Sequence, residues 1–131
     1  MKHSKVKIAG TAISVLMSLL FLQSAMAKLF PEMIYPQMPE QMQKIGLPLT
    51  ILPVVATLEI LCVVVYLIPT TAVLGAVLFT GYLGGAILTH LRVGESVHMQ
   101  VIFGGLIWLG IYLREPRLRS ILPVRKNGPS N

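Results

Sequence analysis

Polar residues are nearly absent from four stretches of the chain, at about 8–27, 49–68, 71–89 and 97–113. A membrane-spanning helix needs about 20 mostly apolar residues, with a lower limit near 17, so each stretch predicts one span and the last is the shortest. Only Pro69 and Thr70 separate the second run from the third. Proline lacks an N–H and clashes with the preceding turn, so the second helix ends there and the third returns beside it. The pattern predicts an all-α fold, a polytopic membrane four-helix bundle with antiparallel up-down helices. Nothing between the runs resembles a soluble domain, so residues 1–131 read as one membrane domain ending in a short basic tail, 114–131.

The one long loop, 28–48, carries Pro31, Pro36, Pro39 and Pro48 among Met33, Met38 and Met42. A short helix from Glu40 to Ile45, stopped by Gly46, is predicted at the outer membrane surface, where its methionines pack interfacially.

Composition sharpens this picture. Hydrophobic residues make up 54% and charged residues 12%, against about 25% charged in an ordinary soluble domain. The net charge of +6 is not a nucleic-acid signal, because the basic residues flank the apolar runs, where they set topology and meet lipid headgroups. Lys2, Lys5, Lys7, Arg114, Arg117, Arg119, Arg125 and Lys126 share one side, against Lys28, Lys44 and Arg92 on the other. The excess predicts both termini in the cytoplasm. The first run admits a second reading. A basic start, an apolar stretch and Ala25-Met26-Ala27 fit a signal peptide, and cleavage would leave three spans beginning at Lys28. A lone cysteine, Cys62, excludes an internal disulfide, and no cysteine or histidine cluster has metal-site spacing.

Glu59 is the most informative residue. It lies about nine residues into the second run, near mid-membrane, where a charged group costs about 2.5 kcal/mol or more. Such a group faces inward and finds a partner; Tyr82 and Thr80 on the third helix fall at similar depth and are the expected hydroxyl partners. The bland role is a polar clasp between helices, and the functional one a contact for a lipidic ligand or proton. At the outer end of the third helix, Thr89-His90-Leu91-Arg92-Val93-Gly94-Glu95-Ser96-Val97-His98 is a second candidate cluster, read first as interfacial anchoring. Gly75, Gly81, Gly84 and Gly85, with Gly104 and Gly105 on the fourth helix, suit close helix packing. From Trp108 through Tyr112 to Arg119 the chain leaves the membrane as an aromatic and basic anchor. No nucleotide loop, nucleophile elbow or metalloprotease motif occurs.

Several of these segments together resemble the DoxX-like family. They are Leu58-Glu59-Ile60-Leu61-Cys62, Tyr66-Leu67-Ile68-Pro69, the block Gly81-Tyr82-Leu83-Gly84-Gly85-Ala86 with His90 and Arg92, and the ending Trp108-Leu109-Gly110 with Arg114-Glu115-Pro116-Arg117. The resemblance implies a four-helix protein of the bacterial inner membrane, related to a membrane subunit associated with thiosulfate–quinone oxidoreduction. It carries over no catalytic residue, and no catalytic motif is expected. Two functional readings follow. The first is an accessory or scaffold subunit, as of a redox complex, with membrane lipid and a membrane protein or a second copy as partners. The alternative is a quinone- or lipid-binding oxidoreductase component, with Glu59, Tyr82 and Thr80 at the head group and His90 and Arg92 at the entrance.

Overall fold

The computed structural model describes residues 2–122, and every described element is helical. The helices are α1 (Lys2–Leu29), α2 (Pro31–Ile34), α3 (Met38–Ile45), α4 (Leu52–Leu67), α5 (Ala72–Leu91), α6 (His98–Arg114) and α7 (Pro116–Arg119). Among the described residues, three helical segments are long and apolar enough to cross a membrane: Ser4–Leu29, Leu49–Leu67 and Pro69–Leu91. The fourth long helix, α6, has 17 residues, about 26 Å at 1.5 Å per residue. Arg125 and Lys126 of the basic tail lie outside the described residues.

Proline and glycine fix the boundaries. Pro31, Pro53 and Pro116 sit in the first turns of α2, α4 and α7, where the missing N–H costs nothing and φ is already helical. Gly46 ends α3 at φ +74°, its N–H reaching the carbonyls of Met42 and Gln43; left-handed backbone of this kind strongly favours glycine. The short helix expected from Glu40 thus begins at Met38. Ile68 leaves α4 in extended conformation, and a single 3-10 turn over Pro69–Thr71 starts the return into α5.

The long helices meet in a closed order, α1 against α4 and α6, and α5 against α4 and α6. Their shared core contains Met17, Phe21, Val63, Tyr66, Phe79, Leu83, Ile107 and Ile111. At its middle, Phe21 lies 4.7 Å from Phe79, centroid to centroid, with Phe103 edge-on at 5.8 Å. Three glycines set how near the backbones come. A Cβ at Gly75 would collide with the Tyr66 backbone, one at Gly10 with Gly110 and Arg114, and one at Gly110 with Ser14 and the Tyr66 hydroxyl.

The distribution of polarity is inverted relative to a water-soluble protein. The buried face of α1 includes Ser14, Ser18 and Ala25, while Leu16, Leu19 and Leu20 on the other faces are exposed. In α4 the buried set includes Glu59 and the exposed set Val54, Leu58, Leu61 and Val64. Apolar surface this extensive is untenable in water and natural in lipid.

Candidate functional site

Glu59 is 1% exposed, and the group that meets it is a cation. The Lys28 ammonium, at the end of α1, stands 2.9 Å from Glu59 Oε2 and donates to it. The same ammonium donates to Ser24 Oγ at 2.6 Å, one turn earlier on α1. Lys28 is 18% exposed at its side chain, so the pair has one end in the core and the other toward the loop. Long cationic side chains near helix ends run along apolar surface in this way. Tyr82 of α5 lies beside Glu59 and Cys62. Thr80 does not join them. Its hydroxyl donates to its own helix at Ala76 O and accepts from Trp108 Nε1 at 2.7 Å. Thr80 projects from the outer side of α5, two residues and about 200° of helix rotation from Tyr82.

A second polar cluster closes the opposite end of the core. The Tyr66 hydroxyl donates to Ile107 O at 2.7 Å and lies 2.9 Å from Ser14 Oγ. The guanidinium of Arg114 stacks over the Tyr66 ring at 4.7 Å and donates to Tyr66 O, an acceptor in the last turn of α4. Arg119 does the same for α6, donating to Tyr112 O and Leu113 O. Two arginines that the sequence marks as lipid anchors therefore also cap helix C-termini, where cations complement the exposed carbonyls. The phenylalanine cluster lies between the two polar sites.

A sequence profile of the DoxX-like family matches residues 12–110, about three quarters of the chain and most of all four long helices. The chain belongs to the DoxX-like family. Family membership and the apolar helices make it a membrane protein. No curated protein and no solved structure matches it.

In this DoxX-like chain the remaining candidate side chains, His90 and Arg92, lie together at the turn between α5 and α6. His90 Nδ1 pairs with Glu95 Oε2 at 2.8 Å, and Lys44 lies 3.9 Å from the other Glu95 oxygen. Arg92 donates to Ile45 O, at the end of α3. The Lys44 and Arg92 contacts fasten α3 to the α5–α6 turn, where Gly94 takes φ +79°. Met42 and Ile45 pack with Leu52 in a small separate core. His90 and Arg92 thus serve the loop side and do not touch Glu59. Among the described residues no group of three potential metal ligands occurs.

The candidate packing glycines divide as well. Gly75 is in tight contact with α4, and Gly104 is within van der Waals reach of Leu83. Among the described residues, nothing lies within 4 Å of where a Cβ would stand at Gly81, Gly84, Gly85 or Gly105.

Sequence reasoning missed Lys28, Ser24, Ser14 and the arginine caps. Lys28 reads as a loop-side topology charge because it follows the first apolar run. The available signal was its spacing from Ser24, one turn on one face, at the helix end that an antiparallel partner brings level with the start of α4.

Proposed function

We propose that this DoxX-like protein crosses the bacterial inner membrane four times, up and down, with both termini in the cytoplasm, and serves there as an accessory or scaffold subunit. The observation that carries the reading is the open row of Gly81, Gly84 and Gly85 on α5. Helix association in lipid depends on close van der Waals approach, which small residues permit. These glycines make no such approach among the described residues, so the face suits a helix of another subunit. The internal pair supports a structural role for Glu59, since Lys28, itself held by Ser24, meets its charge. The phenylalanine layer between the two polar sites weighs against a transport path through a single copy. The test is crosslinking in native membranes with Gly81→Leu and Gly85→Leu. Loss of a crosslinked neighbour from a protein that still accumulates supports the reading, and an unchanged set of neighbours contradicts it.

A second reading rests on the partial exposure of Lys28 and on Tyr82 beside Glu59. Together they form a polar patch, reachable from the loop side, that suits a quinone or lipid head group. It requires a near-stoichiometric quinone in the purified wild type that is lost in a folded Glu59→Gln variant. Bulk lipid alone in both would sink it.

A further inference from the structure

The lipid-facing side of α6 carries a groove that none of the roles above uses. It has a volume of about 610 Å³ and is lined by Gly105, Trp108, Leu109, Tyr112 and Leu122. Its construction is specific. Gly105 forms an open floor, since a Cβ there would meet nothing within 4 Å. Trp108 is held by its bond to Thr80 of the neighbouring helix, which fixes the indole as one wall. Leu122, carried past α7 by the turn at Ser120 and Ile121, packs back against the core and forms the other side. From Gly105 to Tyr112 the groove follows seven residues of helix, about 10 Å.

One end differs in charge from the rest. Arg119 is half-buried beside Tyr112, donating through Nε to Tyr112 O at 3.1 Å and through Nη2 to Leu113 O at 3.2 Å. Among the described residues no hydrogen bond engages its Nη1, and Arg117 is exposed two residues away. The apolar trough therefore ends at Tyr112, beside a cation fixed where α6 gives way to the basic segment. A hydrocarbon chain matches the trough, and an anion matches its end.

We propose that this groove binds an anionic phospholipid, with an acyl chain along Gly105, Trp108 and Leu109 and its phosphate at Arg119. The charge pattern selects an anionic head over a zwitterionic one, because a cation at the membrane surface favours anionic lipid by about fivefold per charge. Trp108 is the single tryptophan of the chain, so its fluorescence reports on the groove alone.

The experiment uses the full chain in mild detergent, titrated with phosphatidylglycerol or phosphatidylcholine brominated on the acyl chains, with Trp108 quenching as the readout. The expected result is saturable quenching, with brominated phosphatidylglycerol half-saturating at about fivefold lower concentration. Gly105→Leu places its Cβ in open space and its side chain in the trough, and should abolish the saturable phase while far-UV circular dichroism is unchanged. Arg119→Gln should leave quenching by phosphatidylcholine as it was and remove the preference for phosphatidylglycerol. Equal quenching by the two lipids in the wild type means ordinary surrounding lipid and overturns the proposal. A preference that survives both substitutions places the anionic lipid elsewhere and overturns it equally.

Discussion

Lys28 of α1 and Glu59 of α4, 31 residues apart in sequence, form an ion pair at 2.9 Å that joins the two helices near the loop side of the core. Its two ends differ in environment, the carboxylate being 1% exposed and the lysine side chain 18%. Stranding a buried charge costs about 3–5 kcal/mol, much of it desolvation of the group left behind. Lys28→Met leaves the fully buried carboxylate alone, whereas Glu59→Gln leaves a lysine that can turn toward water. The lysine substitution is therefore expected to destabilise more, measured by unfolding in mixed micelles. Equal losses would show that the two ends are solvated alike.

The glycines supply a sharper contrast. Gly75→Ala forces a methyl into the Tyr66 backbone, and overpacking of this kind costs about 1–3 kcal/mol or more. Gly84→Ala enters open space on the same helix, and replacing a mid-helix glycine by alanine gains about 0.5–1 kcal/mol. Thermal unfolding of the two variants should shift in opposite directions.

At the other end of the core, Tyr66→Phe removes a hydroxyl that donates to Ile107 O and pairs with Ser14. The loss leaves a buried carbonyl and a buried serine without that partner, a penalty of about 1–3 kcal/mol. Ser14→Ala in the same background should add less than it does alone, because the two substitutions remove one shared interaction.

The fold and the site were legible to different depths. Helix positions followed from apolar runs and from Pro69 and Gly46, since breakers and spans act locally. The inward placement of Glu59 followed from the cost of a carboxylate in oil. Its partner did not, because pairing between α1 and α4 depends on the rotation of both helices about their axes, and apolar residues surround each of them. The same ambiguity affected the glycines. Gly81, Gly84 and Gly85 have the spacing of a packing face yet stand open among the described residues, while Gly10, unremarkable in sequence, meets Gly110 and Arg114 at a close approach of α1 and α6. Thr80 was placed with Glu59 by depth alone, and helix rotation turns it toward Trp108.

The ending at Ala27 leaves a physical question about α1. That helix supplies Ser14, Met17, Phe21 and Ala25 to the buried interior, so the packing described here requires it to stay with the mature protein. Intact mass spectrometry of protein extracted from membranes is expected to find residues 1–27 attached. A species starting at Lys28 would mean that α4, α5 and α6 pack without it.

The most direct test of the account is a double-mutant cycle on Lys28→Met and Glu59→Gln, because it isolates the clasp between α1 and α4. The double variant should lose less stability than the sum of the singles, with a coupling of about 1–3 kcal/mol for residues in contact. Losses that add to within about 0.5 kcal/mol, as for distant independent sites, would contradict it.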